Sequence, residues 1–206
     1  VLALFAGAAQ ADTTVFNSAP TDGWHYGTGN GYAPANTADL TTDAGDQLSL
    51  RLHDRFQPAS ASVGNVYSFA LGAQQLSYDW GIDIHNGDFT GVTALLTFTN
   101  LAGGGVSYSP LPGTDNSIAF GDQQNSFYVN NFAGLNFNPL IDSTYNVNLT
   151  VNGLAGGSKS LDVVAKFGNG FSGAVPEPTT WAMMLVGFGG LGAVLRRRRG
   201  QFALAA

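Results

Sequence analysis

The sequence contains no cysteine. That absence excludes disulfide staples, thiolate metal sites and cysteine nucleophiles, and it makes folding independent of the redox compartment. Glutamate is almost missing as well, the single one being Glu177 near the C-terminus. Basic residues are scarce before Val175, where Arg51, Arg55, Lys159 and Lys166 stand against thirteen aspartates. So acidic a body lacks the basic footprint that a nucleic-acid partner requires. Without Glu, Lys and Arg, the residues that usually fill exposed helix faces are gone. Asn, Asp, Gly, Ser and Thr replace them and favour turns and strand surfaces. The composition predicts an all-β body.

What the body has in quantity is period-2 alternation. Leu48, Leu50 and Leu52 alternate with Ser49, Arg51 and His53, and Trp80, Ile82 and Ile84 with Asp79, Gly81, Asp83 and His85. The same pattern recurs at 92–99, 145–152 and 161–167. Each run predicts a strand with one buried and one wet face. Less regular runs cover 63–71, 117–120 and 126–132. Asn86-Gly87 predicts a tight hairpin between two strands, and Asn152-Gly153 opens a Gly-rich connection into the last one. About eight to ten short strands suggest an antiparallel two-sheet β-sandwich or jelly roll, with a closed barrel as the alternative. Residues 12–167 form one domain with enough chain for a core, and the glycines of 168–175 make a flexible spacer.

Both ends carry targeting patterns. Ala9-Gln10-Ala11 after an apolar stretch fits a signal-peptide cleavage site, so 1–11 reads as a signal-peptide remnant for the Sec machinery, with Asp12 the first mature residue. At the other end, Trp181 to Leu195 is free of charge and is followed by Arg196, Arg197, Arg198 and Arg199. A helix over 181–195 is about 22 Å long against a hydrocarbon core of about 30 Å. Thr179, Thr180 and the snorkelling arginine stems extend it. The positive-inside rule then places residues 200–206 in the cytoplasm and the body on the far side of one C-terminal transmembrane helix.

Pro176-Glu177-Pro178, Trp181, the run Gly187-Phe188-Gly189-Gly190-Leu191-Gly192 and the arginine cluster together resemble the PEP-CTERM sorting signal, here over 176–199. The resemblance implies recognition of Pro176, Glu177 and Pro178 by an exosortase in the inner membrane of a Gram-negative bacterium. It further implies removal of the tail and passage of the body to the cell surface or an exopolysaccharide matrix. It implies nothing about the body's fold or activity.

Two constellations in the body are candidates for chemistry. The strand from Ser77 to Asp88 puts Asp79, Asp83 and His85 on one face, an arrangement open to acid/base work, to a divalent cation such as calcium, or to a plain solvated face. The segment Trp24 to Tyr32 carries Trp24, Tyr26 and Tyr32 among glycines and asparagines. These rings either stack on sugars or fold over one end of the core, and Tyr108, Phe127, Tyr128 and Phe132 would extend either surface. The Asn-rich stretch 125–138 reads as turn chemistry or as a carbohydrate-facing loop. No G-x-S-x-G or H-E-x-x-H is present, and a glycosidase would have to rely on an aspartate pair. The expectation is a non-enzymatic exported protein with a structural or adhesive role and no resident cofactor. The alternatives are a carbohydrate- or calcium-binding module and an aspartate-based polysaccharide hydrolase.

Overall fold

The computed structural model describes residues 11–19, 35–55, 57, 60–72, 75–85, 87–111 and 122–170. All of them fall in the first of two units of the chain, Val1–Phe171. They form ten strands: β1 (Thr13–Ser18), β2 (Thr37–Thr41), β3 (Gln47–Asp54), β4 (Val66–Phe69), β5 (Leu76–Asp83), β6 (Thr93–Asn100), β7 (Gly105–Tyr108), β8 (Asp122–Tyr128), β9 (Ser143–Leu154) and β10 (Gly157–Phe167). One sheet has the order β1-β2-β3-β5-β8 and the other β4-β10-β9-β6-β7.

The alternation explains how the sheets meet. Tyr145, Val147, Leu149 and Val151 of β9, Leu161, Val163 and Ala165 of β10, and Leu96 and Phe98 of β6 all point inward from the second sheet. Leu48, Leu50, Leu52, Tyr78, Trp80 and Ile82 face them from the first, and all belong to one hydrophobic cluster. Tyr78 meets Phe98 edge-on across the interface, ring centroids 4.8 Å apart. Burying each large side chain contributes about 1.5–3 kcal/mol, so this shared core holds the two layers together.

Four sequence expectations need correction. Pairing is not antiparallel throughout, because β4 runs parallel to β10 at the edge of the second sheet. The chain reaches β4 from β3 in the other sheet, so no hairpin dictates its direction. Phe69 stacks on its register partner Phe167 at 5.0 Å and anchors the parallel pair. Second, Asn86-Gly87 does not close a hairpin, since β5 and β6 lie in different sheets. Ile84, Phe89 and Val92 pack against the core from this crossing segment, and their burial outweighs the local turn signal. Third, Asn152-Gly153 lies within β9, and the hairpin turns at Ala155-Gly156 instead. Gly153 is needed because it has φ +90° and a Cβ there would sit 2.4 Å from the Gly91 carbonyl oxygen. Fourth, β3 and β5 have no wet face, because both sides are buried over most of their length.

Among the described residues no helix is long and apolar enough to cross a membrane. The expected helix 181–195, residues 1–10 of the signal remnant 1–11, and the strand at 117–120 lie outside the described residues.

Gly153→Ala is expected to lower the urea midpoint far more than Gly157→Ala. Both have positive φ, but a Cβ at Gly157 meets nothing within 4 Å. Strain alone costs about 1 kcal/mol at either site, and Gly153 adds a backbone collision. Equal losses would contradict the close approach of the Gly91 and Gly153 backbones.

Candidate functional site

Among the described residues, a group of buried polar side chains lies on the face of the first sheet that points away from the second. Register creates it. Arg51 of β3 is the cross-strand partner of Asp79 on β5, His53 of Ser77, and Asp39 of β2 of Ser49. Because side chains alternate along a strand, Arg51, His53, Ser49, Asp39, Ser77 and Asp79 all project to that one face.

Arg51 approaches Oδ2 of Asp79 through Nη2 at 2.6 Å and Nε at 2.8 Å, and its Nη1 donates to the Ala35 carbonyl at 3.2 Å. His53 Nε2 lies 3.2 and 3.3 Å from the two Asp79 carboxylate oxygens. His53 Nδ1 lies 2.8 Å from the Asp54 carbonyl and 3.0 Å from that of Gln57. Ser49 donates to Asp39 at 2.5 Å. The Arg51 and Asp79 side chains are each 1% exposed and that of His53 is not exposed at all. The solvated face expected around Asp79 is therefore a buried one.

This geometry decides what the group can do. Both imidazole nitrogens face oxygen acceptors, so neither is free to take a proton from a nucleophile. A triad needs one nitrogen turned toward the attacking hydroxyl. Ser77 Oγ is buried beside His53 but makes no hydrogen bond. The Asp79 carboxylate is engaged by a cation and an imidazole, which is how buried charges persist in a protein interior. Asp83 shares the face but is four residues further along the strand, about 13 Å away and too far to share an ion with Asp79. His85 lies beyond the end of β5 and is exposed. Among the described residues no three His, Asp or Glu side chains are grouped as metal ligands.

Burial also pushes the Asp39 carboxyl above the usual carboxylate range, against the opposing pull of the Ser49 hydrogen bond and the Arg51 charge. Tyr67, buried with its hydroxyl donating to the Asn36 carbonyl at 2.7 Å, is raised in the same way.

The aromatic candidates divide. Trp24, Tyr26 and Tyr32 lie outside the described residues, as do Pro176, Glu177, Pro178 and Arg196 to Arg199. Tyr108 and Phe132 are packed with Tyr78 and Phe98 in a cluster of rings 4.8–6.4 Å apart. The Tyr78 and Tyr108 hydroxyls bond each other, and burial raises the Tyr108 phenol to about 12. Tyr128 lies under the Arg55 guanidinium, 4.0 Å from its ring centre. Tyr108 and Phe132 are thus taken up by ring packing and one face of Tyr128 by Arg55, while the Phe127 side chain lies outside what the structure describes. In the Asn-rich stretch, Asn138 Oδ1 accepts from the Leu140 N–H two residues on, and Asn136 holds a left-handed φ of 54° while donating to the Gly103 carbonyl. This is the turn chemistry expected of asparagine.

Comparison with known families adds the other half of the picture. Residues 174–199 match the family of the PEP-CTERM protein-sorting motif. The chain therefore carries that motif, which implies export, cell-surface sorting and an exosortase as processing partner. No curated protein and no solved structure matches the chain.

The Asp39 carboxyl has a pH signature. A carboxyl raised by folding stabilises the fold below its unfolded pKa, and that contribution is lost as pH rises through the folded value. Asp39→Asn imitates the protonated form. Its stability relative to the parent, from urea unfolding, should improve between pH 3.5 and pH 7. A pH-independent difference would contradict the burial argument.

Proposed function

We propose that this chain is a non-catalytic structural or adhesive component of the cell surface or exopolysaccharide matrix. In this reading the mature protein begins at Asp12. Residues 181–195 hold it in the inner membrane until the region of Pro176, Glu177 and Pro178 is processed.

The observation that carries the non-catalytic reading is the closed Arg51–His53–Asp79 group. The strand carboxylate most suggestive of chemistry is occupied by its neighbours and sheltered from solvent. The adhesive reading draws on the outer face of the second sheet. Ser107, Thr97, Asn148 and Asp162 stand in register across β7, β6, β9 and β10. Thr97 bonds Ser107 at 2.9 Å, and Asn148 donates to Ser160 at 2.6 Å and to Asp162 at 2.8 Å. A flat ladder of hydroxyls and amides suits contact with a hydrated neutral polymer, where each hydrogen bond is weak and the row adds them.

Protein recovered from the matrix is expected to lack Arg196 to Arg199 by mass spectrometry. Incubated with matrix polysaccharide, it should release no new reducing ends. An intact arginine tail would overturn the processing, and released reducing ends would overturn the non-catalytic assignment.

A further inference from the structure

Most large apolar side chains of the described body are buried, but four remain in water at one end of the second sheet. Leu140 is 67% exposed, Ile141 55%, Leu71 47% and Leu101 44%. They come from three separate connections, after β4, after β6 and before β9. Parallel and antiparallel pairing place the ends of β4, β6 and β10 and the start of β9 together.

Hydrogen bonds tie these connections to one another. The Gly72 N–H donates to the Pro139 carbonyl at 3.1 Å and the Leu101 N–H to the Thr144 carbonyl at 3.0 Å. The chain leaves the sandwich at the same place. The Gly168 N–H donates to the Phe69 carbonyl, and Asn169 gives its backbone and side-chain N–H groups to the two oxygens of Asp142 at 3.0 and 3.1 Å. A Cβ on Gly168 would touch Leu71. The apolar loops therefore surround the point from which the polypeptide runs toward residues 174–199.

We propose that this end of the sandwich rests on a lipid surface, with Leu71, Leu101, Leu140 and Ile141 in the headgroup region, for as long as the chain stays joined to its C-terminal apolar run. The proposal rests on the reading that 181–195 enters a bilayer. Ten residues separate Gly170 from Trp181, so this stretch of chain spans at most about 35 Å however it is arranged. The patch is thus held close to whatever surface receives that run.

Among the described residues the rim carries one acid, Asp142, and one base, Lys166, whose side chain passes beside Gly170. With these two charges balanced, apolar transfer drives the contact, and it does not depend on anionic lipid. Four side chains bind weakly on their own, but a short tether makes the contact intramolecular. Cutting the chain near Glu177 removes that advantage, and the body lifts off.

The absence of cysteine makes the test clean. Full-length Leu140→Cys and Val63→Cys are each labelled with an environment-sensitive dye and mixed with phosphatidylcholine vesicles. Val63 is 84% exposed and lies just before the start of β4, at the opposite end of that strand from Leu71. In floated protein, the dye at position 140 should shift to the blue and its iodide quenching should fall several-fold, while that at 63 stays water-like. Equal quenching at both positions in floated protein overturns this proposal and leaves the membrane reading of the tail standing. Failure to float overturns both. A blue shift at 140 without vesicles assigns the patch to a second copy of the chain and overturns the lipid assignment.

Discussion

The pairing of Arg51 with Asp79 constrains the first sheet more than any other contact. Two opposite charges sit on adjacent strands with almost no solvent access. Neither is tolerable there alone, because an uncompensated buried charge costs about 3–5 kcal/mol. The pair therefore fixes the register of β3 against β5. A one-residue slip would turn Arg51 into the apolar core and one of its flanking leucines into the polar layer. His53 and the backbone oxygens of Asp54 and Gln57 close the arrangement from the β3 side. The face is polar in sequence and interior in structure, which is why it resembles a catalytic site without being open like one.

How much of this was legible depended on burial. The longest strands, β3, β5, β6, β9 and β10, announce themselves by alternation. β2 does not, because Thr37, Ala38, Asp39 and Leu40 are all buried and no wet face breaks the pattern. β1 is largely exposed and β7 has four residues, so neither supplies enough period to detect. Asp79 was visible as a candidate, but its partners Arg51 and His53 lie 28 and 26 positions away and meet it only through sheet pairing. A signal did exist. Cations are so rare in the body that an arginine alternating with leucines points to an opposing carboxylate. The Asn86-Gly87 turn misled because a dipeptide rule cannot weigh Ile84, Phe89 and Val92 against the core.

The two halves of the chain solve different problems. The body packs its apolar residues between two sheets and buries its strongest ion pair within the first. The sorting motif at 174–199 supplies the address and leaves the body's own role unstated. Between them lies the turn of Gly168 to Gly170, held by Asp142 and surrounded by exposed leucines. That turn joins the sandwich to the residues that lead into the sorting motif, and exposed apolar side chains gather around it.

The Arg51–Asp79 group acts as an internal lock, and a double-mutant cycle measures it directly. Arg51→Met and Asp79→Leu are made singly and together, and unfolding free energies are compared. A lock predicts two strongly destabilised single variants and a double variant that recovers much of the loss, with a coupling energy of about 2–3 kcal/mol. Additive effects with little loss in either single variant would contradict it, and would mean that these charges are solvated and available for another purpose.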